Sequence, residues 1–321
     1  MPVRMHMPHA YKTLIGALVG ACLLIAAPTQ ALAKTHVAVG IGDQSPAMFS
    51  SPAWKALHLK KTRYFLPWNS IHDKGQLANA DAFVKAAKKA HVRVLMHVGT
   101  DNYASKKAKL PSVSAYKKDV KRLVSRYKKL GVKEWGVWNE ANHASQPTYK
   151  SPKRAAQYFT AMRSICSGCT IVALDVLDQK GVATYIKKWY AAVPKSSRKY
   201  AKIVGIHNYS DVNRKRSSGT KTIINAVHKA DTVDTDFWLT ETGALVSFGG
   251  SFPCSESRAK SRMTYMFTLA KKYRKDITRL YSYNWQGTDC TNRFDAGLVH
   301  PDGSTRPSYD AFKKGAASFT R

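Results

Sequence analysis

Apolar and polar positions fall into blocks along this chain, and the period of the pattern switches from block to block. Short apolar runs rich in β-branched and aromatic residues predict strands at residues 36–42, 61–67, 93–99 and 170–175. Four similar runs, at 134–138, 201–209, 236–239 and 280–285, complete a set of eight. Between them the apolar positions recur at helical spacing, at 80–90, 112–130, 183–192, 222–230 and 257–273. Ser112 and Gly131 bracket one of these helices as cap and stop, and Ser151-Pro152 and Arg306-Pro307-Ser308 open two more. Strand and helix alternate throughout, which predicts a parallel sheet with helical crossovers. An open doubly wound sheet alternates in the same way, but no Gly-x-Gly-x-x-Gly follows the first strand, so its nucleotide-binding version lacks its fingerprint. Residues 297–309 read as a short hairpin closing onto the last helix.

Two segments carry the candidate chemistry. Trp138-Asn139-Glu140-Ala141-Asn142 ends the fourth run, and Leu239-Thr240-Glu241-Thr242-Gly243 ends the seventh. Each sets a glutamate at the C-terminal end of a strand, where a (β/α)8 barrel keeps its reacting groups. The two lie 101 positions apart, the length of three βα units of about 34 residues. Three units back from Glu140 lies the first strand, and one unit on from Glu241 lies the last. The arithmetic closes at eight strands, so the expected fold is α/β, a single TIM barrel. Paired carboxylates at one barrel mouth are what glycosidic bond cleavage requires.

On these motifs the sequence resembles the retaining glycoside hydrolases of clan A, a superfamily of (β/α)8 enzymes that includes cellulase-like, β-xylosidase-like and α-iduronidase-like members. The resemblance implies that Glu140 is the acid/base and Glu241 the nucleophile, with Asn139 bonding the sugar 2-hydroxyl. It implies further that Arg63 bonds the nucleophile, that His207 and Tyr209 line the site, and that Trp285 forms an aromatic floor. Trp68, Asn69, His97 and Asp101 follow the second and third strands and are candidates for extending the subsites. The implied enzyme cleaves O-glycosidic bonds and uses neither a metal nor an organic cofactor.

Composition adds a compartment. Arg4, His6, His9 and Lys12 precede an apolar run at 14–27, and Ala31-Leu32-Ala33 fits a cleavage site, so residues 1–33 read as a secretory signal and 34–321 as one exported, monomeric domain. The run is too short for stable membrane insertion. Cys22 lies in that segment. Of the other four cysteines, Cys166 and Cys169 would close a tight loop, and Cys254 and Cys290 would tie the loops after the seventh and eighth strands. Cys-x-x-Cys also allows zinc or redox chemistry, for which no further ligands stand nearby.

The formal charge is +32, enough to attract anionic cell-wall polymers without any specific site. Most Lys and Arg fall on predicted helices, apart from the aromatic residues at strand ends, which disfavours nucleic acid as the partner. Two alternatives compete with the enzyme: a barrel that only binds sugar, and a basic secreted protein that binds anionic wall polysaccharide. A metal hydrolase is less supported, because His36, His58, His72, His91 and His97 are scattered.

Overall fold

The computed structural model describes residues 36–102, 108–230 and 233–319, and the expected signal segment lies outside them. The strands are β1 (Ala38–Gly42), β2 (Lys61–Pro67), β3 (Arg93–Gly99), β4 (Glu134–Gly136), β5 (Thr170–Val172), β6 (Leu174–Leu177), β7 (Ile203–His207), β8 (Asp236–Thr242), β9 (Ser247–Phe248), β10 (Ile277–Tyr283) and β11 (Phe294–Asp295). One sheet runs in the order β5-β4-β3-β2-β1-β10-β8-β7-β6, with every pair parallel. Only Ala173 separates β5 from β6, and its N–H still bonds Ile203 O at 2.9 Å. These two segments act as a single strand, so the sheet closes into a barrel of eight. The ribbon β9–β11 is antiparallel and stands apart from it.

Helices follow the strands as the periodicity predicts, with their ends set by local chemistry. Ser112 Oγ accepts from Ala115 N at 3.1 Å and starts Val113–Lys129. Gly131 follows its end with φ at 95°, where a side chain would be strained. Lys74–Lys89 begins several residues earlier than the apolar pattern alone predicts. Its first turn is polar, and Asp73 caps it by accepting from Gln76 N at 3.0 Å. The remaining crossovers are Pro152–Ile165, Val182–Ala192, Ser218–Ala230 and Glu256–Lys272, and Pro307–Ala317 closes the chain.

Two apolar cores result. The larger lies between sheet and helices and includes Phe83, Phe159, Trp189 and Met266. The smaller consists of Leu95, Val172, Ile203, Trp238 and Tyr281, one from each of five strands, and fills the barrel interior as such barrels require. Both expected disulfides form, Cys166–Cys169 and Cys254–Cys290. The second closes 36 residues, a loop worth roughly 4 kcal/mol in chain entropy, and fastens the β9–β11 ribbon beside the barrel mouth.

Candidate active site

The chain leaves β4 at Gly136 but stays on the barrel rim. Val137 N bonds Val172 O, Asn139 N bonds Val98 O at 2.8 Å, and Ala141 N bonds Asp175 O at 2.9 Å. Trp138 anchors this segment from behind, stacked on Tyr158 with ring centroids 5.1 Å apart and donating to Gln146 Oε1. Asn142 pins the far side, accepting from Leu177 N and donating to Leu177 O. Held between these anchors, Glu140 has φ at 46°. A non-glycine residue there is strained, and such strain collects at functional sites.

Glu241 reaches the same place from β8. Arg63 is 2% exposed inside the barrel and donates to Glu241 Oε2 at 2.7 Å. It also donates to Asn139 Oδ1 and, at 3.1 Å, to His97 Nδ1. Tyr209 OH donates to Glu241 Oε1 at 3.0 Å. His207 Nδ1 is 3.0 Å from Glu140 Oε1 and 3.8 Å from Glu241 Oε2, so those two oxygens are no further apart than both legs laid end to end. That ceiling sits at the bottom of the inverting range of about 6.5–9.5 Å and leaves room for the retaining separation of about 5–5.5 Å.

Asp175, at the end of the fifth predicted strand, organises the cluster from beneath. It is fully buried, with Oδ1 3.1 Å from His207 Nε2 and accepting from Glu140 N at 3.0 Å. Oδ2 accepts from Thr240 Oγ1 and lies 3.7 Å from His97 Nε2. Space for it is kept by glycine: a methyl at Gly205 would stand 2.2 Å from Asp175 Oδ2, and one at Gly136 would stand 2.3 Å from the His97 ring. An acidic residue closing an apolar run is the same signal that singled out Glu140 and Glu241, and it was available for Asp175.

Burial opposes charge on His207, but the Asp175 and Glu241 carboxylates overcome it and push the imidazole up to about 10. His97 goes the other way: burial outweighs Asp175 and, with the Arg63 charge, takes it down to about 3. His97 is therefore neutral, with Nδ1 accepting from Arg63 and the proton on Nε2. Burial works to raise Asp175, yet the charge and hydrogen bond of His207, with the Arg63 charge, hold it well below the carboxylate range. Burial works to raise Glu140 too, but the bond and charge of His207 outweigh it and leave the carboxyl below its usual value. The proton between the two therefore rests on His207, 3.0 Å from Glu140 Oε1.

A cavity of about 780 Å³ opens above the two glutamates. Arg63, Asn139 and Tyr209 reach its wall, and His207 lies under it against both carboxylates. Five further expected residues are not on the wall. Trp285 is not on the wall: the last strand ends at Tyr283, and Trp285 is 4% exposed, edge-on to Trp54 and Tyr309. Tyr283 lines the cavity instead. Trp68 packs half-buried against the outer core, outside the lining. His97 is buried below the cavity, and Asn69 and Asp101 bond each other away from it. Phe248 and Phe294, brought by the ribbon, and Phe65, Phe252 and His143 complete the wall unforeseen. Among the described residues no group of three or more His, Cys, Asp or Glu is arranged to hold a metal.

In sequence, no protein-family model and no curated protein matches the chain. In structure, it is similar to a family 10 xylanase with a bacterial Ig-like domain from termite gut, at 17% identity and TM-score 0.59, over 89% of this chain and 77% of that one. It is similar to a GH5_18 protein from Streptomyces cattleya solved with GlcNAc, at 13% identity and TM-score 0.64, over 89% and 80%. It is also similar to xylanase XynB from Paenibacillus barcinonensis, at 13% and 0.63, over 86% and 95%. The fold is a (β/α)8 barrel. At these identities the likeness is one of fold, and the function has to be argued from the site.

Proposed function

We propose that this chain is an exported retaining glycoside hydrolase that cleaves O-glycosidic bonds of a polysaccharide or oligosaccharide by double displacement. The observation that carries the reading is the pair Glu140 and Glu241, both in reach of His207 Nδ1 at the mouth of the barrel. Glu241 is fixed through both oxygens, by Arg63 and Tyr209, with one face toward the cavity. It attacks the anomeric carbon as the bond to the leaving oxygen breaks, and that oxygen takes a proton from Glu140. Glu140 then removes a proton from water, which attacks the same carbon and releases Glu241.

The proton is within reach. His207 is an imidazolium bonded to Glu140, so a shift along that bond gives a neutral His207 and a protonated Glu140 without exchange with bulk water. Substrate filling the cavity removes solvent from Glu140, which favours its neutral form. Arg63 pairs with the Glu241 carboxylate and orients Asn139 toward the sugar. The aromatic wall of Tyr283, Phe248 and Phe294 offers flat apolar faces to sugar C–H groups. Export is supported by two disulfides, and among the described residues no helix is long and apolar enough to cross a membrane. The similar structures are named as a family 10 xylanase, a GH5_18 protein and a further xylanase, which makes β-linked plant polymers the first substrates to try.

The test is reducing-end release from plant, fungal and bacterial wall polysaccharides, with NMR of the first anomer formed. Hydrolysis with retained configuration, lost in Glu241→Gln and Glu140→Gln variants that still fold, is expected. Inverted product, or activity surviving both substitutions, contradicts the mechanism.

A further inference from the structure

The cavity over the glutamates does not end at its own rim. Gln179 and Lys180 line it and also line a second cavity of about 380 Å³. Gln179 is the partition between them, and its side chain donates to Asn142 O, two residues beyond Glu140. The second cavity is built by the loops after β4 and β6 and by the first turns of the helix Val182–Ala192, on the same face of the barrel as the glutamates.

Its lining has two properties. Tyr149 is 42% exposed. Among the described residues only Tyr200 is a comparably exposed large apolar side chain, and Arg163 covers that ring at 3.2 Å, whereas no ring or cation covers Tyr149. An open aromatic face beside a carbohydrate site is a stacking platform. Lys150, Lys180 and Lys188 also line this cavity, with no carboxylate among its walls, and none of the three forms an ion pair among the described residues. Arg214 and Arg216 line the first cavity, Arg216 paired with Asp211 at 3.4 Å, so the unpaired lysines mark the second cavity off from the carboxylates of the first. Lys188 lies on the helix Val182–Ala192, as Lys85, Lys121 and Lys129 lie on helices elsewhere. Here the lysines meet an aromatic platform next to the reacting groups.

We propose that the two cavities form one cleft, and that the second is a subsite for an acidic sugar unit of a polymeric substrate. Tyr149 stacks on the ring, and Lys150, Lys180 and Lys188 pair with a carboxylate or a sulfate ester on that unit. This rests on the first cavity being the cleavage site. The substrate class is thereby narrowed to anionic polysaccharides, bound along the loops after β4 and β6.

The experiment is affinity electrophoresis of the folded Glu241→Gln protein. The carboxylate probes are glucuronoxylan and polygalacturonate, each beside its carboxyl-reduced form, and the sulfate probe is carrageenan beside its desulfated form. Tighter retention by one charged polymer than by its neutral form is expected, and which pair shows it identifies the anion. The triple variant Lys150→Gln/Lys180→Gln/Lys188→Gln is expected to weaken retention by the charged form about tenfold and leave the neutral form unchanged. Tyr149→Ala should weaken both forms by about fivefold. The control Lys85→Gln/Lys121→Gln/Lys129→Gln, with equal charge removed, should change retention less than about twofold. Equal loss in both triple variants, or wild-type retention no tighter for any charged polymer than for its neutral form, overturns the subsite. The two readings fail separately. If the wild type hydrolyses no polymer while this binding pattern holds, the hydrolase is wrong and the subsite stands. If hydrolysis holds and the lysine variants bind as before, the subsite alone is wrong.

Discussion

At the N-terminal ends of the strands, Glu134 lies between Lys61 at 3.1 Å and Arg279 at 2.5 Å, and the Arg279 guanidinium stacks on Trp238. At the C-terminal ends, Asp175, Glu140 and Glu241 share Arg63 and His207. Both networks sit within the barrel, yet they are balanced differently. The lower one sets two cations around one carboxylate, with Glu134 buried. The upper one sets three carboxylates against two cations beneath an open cavity of about 780 Å³. A closed network whose members are locked together contributes rigidity. An open one with surplus negative charge and an imidazolium beside Glu140 is suited to hold an electron-poor sugar carbon and to move a proton. The (β/α)8 fold makes both ends by the same rule of inward-pointing strand residues, and the loops decide which end opens.

That contrast is broken most severely at the upper end. Glu241→Gln keeps shape and removes the nucleophile, so kcat is expected to fall on the order of 10⁵-fold with Tm little changed. Glu140→Gln should cost about 10²–10⁴-fold, and less on substrates with a good leaving group, which needs no proton.

Asp175→Asn tests the support beneath them. It should lower kcat about 10²-fold through misplacement of His207 and Glu140, with KM nearly unchanged. It should also bring the His207 value down from about 10, because the carboxylate that raises it is gone. The stabilisation from the imidazolium is complete below about 6.5 and is lost as pH rises through about 10 in the wild type. In the variant that loss, followed by urea unfolding across pH, should begin at lower pH.

The lower network should behave in the opposite way. Glu134→Gln leaves Lys61 and Arg279 without their carboxylate, and unfolding in urea should show a loss of about 3 kcal/mol. The pH profile of kcat/KM should not move. A shifted profile would mean that the two ends communicate through the barrel.

The smallest effect is expected at Asp178, buried on the cavity wall, where burial above all raises the carboxyl to about 7. A raised carboxyl contributes stability at low pH that is lost as pH climbs from about 4 through 7. Asp178→Asn should flatten the stability–pH slope in that window by on the order of 2 kcal/mol, and an unchanged slope would place the titration elsewhere.

The chain's own pattern was sufficient for the barrel, for both disulfide pairs and for the meeting of Glu140 with Glu241, since each rests on a period or a spacing. Eight strands at near-regular intervals with helices between them have one closed parallel solution, and residues three units apart return to the same mouth. Arg63, His207 and Tyr209 came with the resemblance, and the fold brings all three to the glutamates. Tertiary structure alone decided the rest. Whether the last strand stops at Tyr283 or Trp285 depends on how the chain turns at the rim, and two residues of difference exchange a cavity wall for a core residue. The Phe248–Phe294 wall depends on a two-residue ribbon too short to leave a period. The charge on His207 depends on Asp175, distant in sequence and buried beside it, because electrostatic energy follows distance through a desolvated interior and not position along the chain.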